Sequence, residues 1–118
     1  PPKSDASTHD LSSGAYNYTV EEVGYRVYTN KWLKGAKKFK VTVKNWERIE
    51  ATGGIINDLT IAVLDNKGSV KASKTIDPTE ISSVTLSGLS SSTKYYVRFE
   101  VPINGNKYFF NGKISKAD

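Results

Sequence analysis

The sequence contains no cysteine and no methionine, and its single histidine is His9. Without cysteine the chain can form neither a disulfide nor a zinc-thiolate site, which is compatible with a bacterial exported protein. A hydrolytic triad needs a histidine beside a serine or cysteine nucleophile. We expect His9 to lie in a solvated tail, because the residues around it are polar. We therefore predict that the protein is not an enzyme.

Long apolar runs and helical patterns are also missing. No stretch of about eighteen apolar residues occurs, so we expect no transmembrane segment. Apolar residues nowhere recur at spacings of three and four over three turns, so we predict no substantial helix. The chain has no Gly-rich phosphate loop and no typical calcium loop, so we predict no cofactor and no metal. Four carboxylates near predicted strand ends are interpreted as turn formers: Asp58, Asp65, Asp77 and Glu80.

What the chain does contain is strand alternation. Tyr95, Val97, Phe99 and Val101 alternate with polar residues, which is the two-residue period of a strand with one face on a core. Similar segments recur about every ten residues, and we interpret Asp65 to Gly68 as a hairpin turn between two of them. Asn104-Gly105-Asn106 is predicted to form another hairpin turn. The eight predicted strands lie near residues 16–20, 25–29, 37–46, 59–64, 70–76, 81–86, 95–101 and 108–114.

These elements predict the fold class and the domain organisation. We expect an all-β protein, an antiparallel β-sandwich of about seven to nine strands that is immunoglobulin-like, fibronectin type III-like or jelly-roll-like. Residues 1–13 are rich in serine and threonine and are predicted to form a flexible N-terminal arm. Residues 14–118 are predicted to form a single sandwich domain.

The segment from Leu89 to Val97 resembles the tyrosine corner of fibronectin type III domains. There a leucine precedes by six residues a tyrosine that begins a strand, as Leu89 precedes Tyr95 here. The resemblance implies that the hydroxyl of Tyr95 ties back the preceding loop.

A second resemblance extends over residues 39–114. The turn from Leu64 to Gly68 after Asp58, the sequence from Tyr95 to Arg98, and Tyr108 are similar to the bacterial pre-peptidase C-terminal domain. Members of that family are exported sandwiches attached to secreted enzymes, and some bind calcium or extracellular matrix. The resemblance implies a secreted or cell-surface accessory module.

Positive charge is concentrated in one stretch. Residues 31–44 hold six lysines and no acidic residue, whereas the rest of the chain carries eleven basic and twelve acidic residues. Lys38, Lys40, Lys44 and Trp46 share one parity, which predicts a basic stripe that ends in an aromatic ring. The candidate ligand-binding residues are Lys31, Trp32, Lys34, Lys37, Lys38, Lys40, Lys44 and Trp46.

Two interpretations of this stretch remain open. The lysines are either a site for a polyanion, or charges that keep an edge strand soluble. Trp32 and Trp46 are either part of that site or core residues. Tyr96 and Phe109 point away from the predicted core, which indicates either an association surface or a loop that covers the sheet.

Three functions follow from these patterns. The favoured one is a secreted or cell-surface binding module for an anionic polysaccharide or another cell-envelope polymer. A cationic antimicrobial protein that acts on anionic envelopes would use the same lysines. A structural protein that self-assembles through strand edges is the third. Nucleic acid is not expected as a partner, because the chain has no RNA-binding or oligonucleotide-fold motif.

Overall fold

Ten β-strands and no helix make up the structure, a computed structural model that describes residues 1–118. No helix long and apolar enough to cross a membrane is therefore present. All eight predicted strands are confirmed, and two short strands, β1 and β4, were not predicted. The strands are β1 (Thr8–Asp10), β2 (Tyr16–Val23), β3 (Arg26–Tyr28), β4 (Trp32–Lys34), β5 (Phe39–Glu50), β6 (Leu59–Leu64), β7 (Val70–Ile76), β8 (Ser83–Leu86), β9 (Tyr96–Glu100) and β10 (Lys107–Lys116).

Eight of the ten strands form two antiparallel sheets of four. The first sheet has the order β2-β10-β5-β8, and the second has the order β3-β9-β6-β7. Alternate side chains of both sheets meet between them and are almost completely buried, which confirms the predicted sandwich. The largest of these are Tyr108, Phe39, Phe99 and Phe110.

The N-terminal residues are folded onto the sandwich, so the predicted flexible arm over residues 1–13 is wrong. Strand β1 pairs in parallel with β4, where Thr8 faces Trp32. Leu11 is only 3% exposed and belongs to the main core. This segment is held largely by backbone hydrogen bonds, such as the one from Trp32 N–H to Ser7 O at 3.1 Å. Such bonds leave no pattern of apolar residues in a sequence.

The two predicted hairpin turns have different outcomes. The turn at Asp65 joins the paired strands β6 and β7 and is confirmed. Its carboxylate accepts the N–H groups of Lys67 at 2.9 Å and Ser69 at 3.0 Å, and Gly68 has a φ of 78°. The segment from Asn104 to Asn106 is no hairpin turn, because β9 and β10 belong to opposite sheets. It carries the chain from one sheet to the other.

Buried Asn106 explains why this crossing is stable. Its side chain accepts the N–H of Gly53 at 2.7 Å and donates to the carbonyl of Gly54 at 2.8 Å. The two loops at this end of the sandwich, residues 51–58 and 101–106, are thereby fastened together.

At the corner before β9, the hydroxyl of Tyr95 accepts the N–H of Ser90 at 2.8 Å. Tyr95 and Leu89 are both buried in the core. The loop is thus tied to the strand in the way that the fibronectin-like corner implies.

Candidate functional site

The outward side of β5 carries Lys40 and Lys44, and the exposed Lys38 precedes them on the same parity. The register of the first sheet places a fourth lysine beside them that is not among the candidate residues. Lys113 of β10 lies opposite Thr42, so it is the diagonal neighbour of Lys40 and Lys44. Such diagonal strand positions are about 7–8 Å apart. We call the outward surface around Lys38, Lys40, Lys44 and Lys113 the lysine face.

The remaining outward positions of this surface are polar and uncharged. None of the four lysines makes an ion pair, since the ion pairs of the protein involve other residues. Acidic groups lie only at the ends of the surface: Glu47 lies opposite Phe109, and the carboxylate of Asp118 accepts the backbone N–H of Lys38 at 3.3 Å. Serine, threonine and asparagine occupy the positions between these ends: Asn17, Thr19, Thr42, Ser83, Thr85, Asn111 and Ser115.

Edge protection does not explain Lys40 and Lys113 of the lysine face. Strand β10 lies between β2 and β5, and β5 pairs with β8 around Lys40. Lys40 and Lys113 therefore lie on strands that have a partner on both sides, where no edge needs a charge. Lysines do lie on a true edge in the second sheet, where β7 carries Lys71 and Lys74.

A shallow depression of about 250 Å³ lies between Lys44 and Lys113. Asn17, Thr19 and Asn111 are among its lining residues. The side-chain oxygen of Asn111 accepts the amide N–H of Asn45 at 2.9 Å. This contact leaves the amide nitrogen of Asn111 free to donate to a ligand, beside two ammonium groups.

Trp46 is not part of the lysine face, because a β-bulge at Asn45 reverses the parity of β5. Lys44 pairs with Asn111 and Glu47 pairs with Phe109, so β5 has one residue more than β10 there. Asn45 has a φ of 57°, which asparagine tolerates better than most residues. The predicted continuation of the stripe to Trp46 is therefore wrong.

Trp46 belongs to the core instead. Its ring stacks on that of Tyr108 with the centroids 4.6 Å apart. Its Nε1–H donates to the side-chain oxygen of Asn57 at 3.2 Å. The interpretation of Trp46 as a core residue is confirmed.

Trp32 also lies away from the lysine face. It is 6% exposed and packs edge to face against Tyr96, with ring centroids 5.7 Å apart, in a separate cluster. Of the eight predicted site residues, the structure places three on the lysine face, Lys38, Lys40 and Lys44. The other five lie elsewhere. Those five are Lys31, Trp32, Lys34, Lys37 and Trp46.

The three excluded lysines have different surroundings. Lys34 lies opposite Asp10 in the β1–β4 pair, and Lys31 is exposed next to Trp32. Lys37 is exposed, and its backbone N–H donates to the carboxylate of Asp118 at 3.1 Å. Their closeness in sequence to Lys38 does not place them on one surface.

Tyr96 and Phe109 do not form a joint association surface, because β9 and β10 are in different sheets. Tyr96 is 4% exposed, in one cluster with Trp32, Ala62 and Leu64. Residues near the N-terminus cover it, so the alternative of a covered sheet is confirmed for this residue. Phe109 is half-buried.

The carboxylates named in the sequence analysis do not form a metal-binding cluster. No three histidine, aspartate or glutamate side chains come together to hold a metal ion. The carboxylate of Asp77 accepts hydrogen bonds from the backbone and hydroxyl of Thr79, as a turn former does. No protein family, curated protein or solved structure matches the chain significantly.

Proposed function

We propose that this protein is a non-catalytic binding module, secreted or attached to a cell surface, that holds an anionic polymer on its lysine face. The single observation that carries the proposal is the arrangement of Lys38, Lys40, Lys44 and Lys113, four lysines without ion pairs whose outward neighbours on the paired strands are uncharged. The partner class is an anionic polysaccharide or another anionic polymer of the cell envelope.

Electrostatics supports this function. Two unit charges about 7–8 Å apart repel each other by about 0.5 kcal/mol in water. This spacing is that of the strand positions of Lys40–Lys113 and Lys44–Lys113, so about 0.5 kcal/mol is an upper limit for their mobile ammonium groups. A polymer with repeated negative charges removes this repulsion and adds attraction at each lysine. A surface that carries this repulsion without an internal partner is suited to an external one.

The uncharged neighbours favour a glycan over a nucleic acid. Hydroxyl and amide groups of Thr19, Asn17 and Asn111 surround the depression between the lysines, and such groups pair well with sugar hydroxyls. Stacking of bases needs exposed aromatic rings, and Trp46 is turned into the core. Apart from the half-buried Phe109 beyond Asn111, the surface carries no apolar side chain with which an antimicrobial protein would enter a lipid envelope.

The test compares two triple variants with the same change in net charge. One variant carries Lys40→Ser, Lys44→Ser and Lys113→Ser. The matched control carries Lys31→Ser, Lys67→Ser and Lys94→Ser, which replaces three exposed lysines elsewhere. Binding to immobilised teichoic acid and to heparin is measured by titration at several salt concentrations.

We expect the wild type to bind one of the two polymers and to lose affinity as salt increases. At about 1 kcal/mol for each lysine, the first variant should bind about 100-fold more weakly. The affinity of the control for the polymer should stay within about threefold of that of the wild type, apart from the effect of its lower net charge. Equal losses in both variants, or no binding by the wild type at low salt, would contradict the proposal.

A further inference from the structure

The outer side of the second sheet is unusually aromatic. Strand β9 places Tyr96 there and β3 places Tyr28, with ring centroids 5.8 Å apart, and Trp32 packs against Tyr96. Ala62 and Leu64 of β6 lie beneath them. A sheet face turned to solvent normally carries polar residues, so this composition indicates a face that is built to be covered. We call the surface formed by Tyr28, Trp32 and Tyr96 the aromatic groove.

The N-terminal residues of the chain occupy this groove. Pro2 is buried, and Ala6 packs against the aromatic cluster. The indole Nε1–H of Trp32 donates to the carbonyl of Lys3 at 3.0 Å. Proline fixes φ, and a residue before proline is extended, so Pro1 to Lys3 enter the groove as a stiff segment.

This contact has the chemistry by which aromatic grooves recognise proline-containing peptides. Aromatic rings pack against the pyrrolidine ring, and an extended peptide loses little conformational entropy on binding. Here the indole N–H adds a hydrogen bond to the carbonyl that follows Pro2. Residues 1–3 therefore lie in the groove as a bound peptide would, and the chain then leaves it through a turn in which Ala6 N–H donates to the same Lys3 carbonyl at 3.0 Å.

The groove has more room than its own segment fills. A depression of about 480 Å³ lies on one side of Pro1 and Pro2 and includes Trp32, Tyr96 and Lys94. Another of about 510 Å³ includes Arg26 and Tyr28. Both volumes are in the range of small-molecule and peptide side-chain sites. Lys94 lies 5.9 Å from the centre of the Trp32 ring, and neither Lys94 nor Lys67 at this rim has an ion-pair partner.

We propose that the aromatic groove is a binding site for an extended, proline-containing peptide of a partner protein, with acidic residues beside the prolines. Residues 1–3 occupy the site intramolecularly and keep it closed. A tethered segment acts at an effective concentration in the millimolar range. A partner peptide must therefore bind better than residues 1–3, or the segment must first be released.

The test uses the two tryptophan indole N–H signals in a ¹H–¹⁵N NMR spectrum. Trp32 reports on the groove, and Trp46, half-buried and stacked on Tyr108, is the control within the same chain. In the open variant, residues 1–6 are replaced by alternating glycine and serine. The probes are the peptides Pro-Pro-Lys-Ser-Asp-Ala and Glu-Pro-Pro-Glu-Ser-Ala, each compared with a version in which both prolines are alanine.

Both proline peptides should shift the Trp32 signal of the open variant, with saturation at or below millimolar concentration. The Trp46 signal should stay in place. The acidic peptide should bind several-fold more tightly than the other, and the alanine versions at least fivefold more weakly than their parents. The intact chain should need at least tenfold more peptide for the same shift.

The proposal is overturned if the Trp32 signal does not respond while the Trp46 signal shows a folded protein, or if the alanine peptides bind equally well. If the open variant does not fold, the intact chain with Pro1→Ala and Pro2→Ala is titrated under the same criteria. Dimers of the intact chain that the open variant does not form would show exchange of residues 1–6 between two copies. That result would overturn the assignment to a different partner protein.

Discussion

The side-chain amide of Asn45 donates to the side-chain oxygen of Asn111 at 2.9 Å, across the bulge that separates Lys44 from Trp46. This one residue has two effects. On the outside it orients an amide beside the lysines, and on the inside its backbone conformation turns Trp46 toward Tyr108. The composition of the lysine face and the packing of the core are therefore set at the same position.

The first prediction concerns the backbone of Asn45. Its φ of 57° is readily adopted by glycine and is strained for a β-branched residue. We expect the free energy of unfolding of Asn45→Val to be about 1–2 kcal/mol lower than that of Asn45→Gly, as measured by urea denaturation. Both variants lose the hydrogen bond to Asn111, so their difference isolates the backbone. Equal stability of the two variants would contradict the role assigned to the bulge.

The second prediction concerns Gly112 in the centre of the first sheet. A Cβ at this position would lie 1.8 Å from the carbonyl oxygen of Thr42 and 2.9 Å from the hydroxyl of Tyr18. That hydroxyl donates to the same carbonyl at 2.8 Å, so the side chain of Tyr18 crosses directly over the glycine. Gly112→Ala must move backbone, and we expect it to cost about 3 kcal/mol or more.

The matched control for Gly112 is Gly24→Ala. A Cβ on Gly24 would meet its nearest atom at 3.7 Å, which is an ordinary contact. Its free energy of unfolding should stay within about 0.5 kcal/mol of the wild type. Chemical denaturation followed by tryptophan fluorescence measures both. A Gly112→Ala protein as stable as the Gly24→Ala protein would refute the close packing of Tyr18.

The third prediction separates the two groups of lysines. Lys74 is exposed on the edge strand β7 and has the parity of Ala72 and the buried Ile76, so it is an inward-pointing charge of the kind that blocks edge-to-edge pairing. We expect Lys74→Val to form aggregates at lower protein concentration than the wild type, as measured by light scattering. Lys113→Val, on the interior strand β10, should not. Aggregation of both variants to the same extent would argue against an edge-specific role.

The fourth prediction concerns pH and the turn between β6 and β7. Backbone N–H groups of Ser69 and Lys67 donate to the carboxylate of Asp65 and lower its pKa. The unfolded chain, where the pKa is ordinary, therefore binds a proton at a higher pH than the native protein does. This contribution to stability is complete at neutral pH and is lost as pH falls below about 4 through the native pKa.

Asp65→Ala should therefore be less stable than the wild type at pH 7, and the difference should shrink as the pH is lowered toward 2. Urea denaturation at several pH values measures it. A difference that stays constant over this range would show that the carboxylate contributes only through contacts that do not depend on its charge.

Much of the fold could be predicted because apolar and polar residues alternate in the sequence of the eight predicted strands, even where, as in β6, both faces are buried. Tyr95 to Val101 shows this most clearly, and its inward side chains are buried as expected. The short strands β1 and β4 have three residues each, too few for a period, and backbone hydrogen bonds to neighbouring segments position them. The crossing at Asn104 to Asn106 has the composition of a hairpin turn, and only the buried contacts of Asn106 show that it joins two sheets.

The sequence predicts only part of the lysine face, because alternation shows the side of a strand on which a residue lies but not its neighbouring strand. Alternation indicates the face of Lys40 and Lys44 but not the strand that lies beside them, so Lys113 could be added only from the register. Alternation predicts the wrong face for Trp46, because the extra residue of the β-bulge in β5 reverses the sides of all later residues. The asparagine at position 45 was the available signal, since asparagine is frequent at positive φ.

Strand β10 lies between β2 and β5, although it follows both of them in the chain. On the ribosome, neither of these earlier strands can find its central partner until residues 107–116 have emerged. Pairings between such distant segments form slowly. Until then, β2 and β5 each have an unpaired edge in the nascent chain. The same residues bring Lys113 to its place. A newly made molecule therefore acquires its complete lysine face in the step that closes the first sheet, and an incompletely folded chain lacks it.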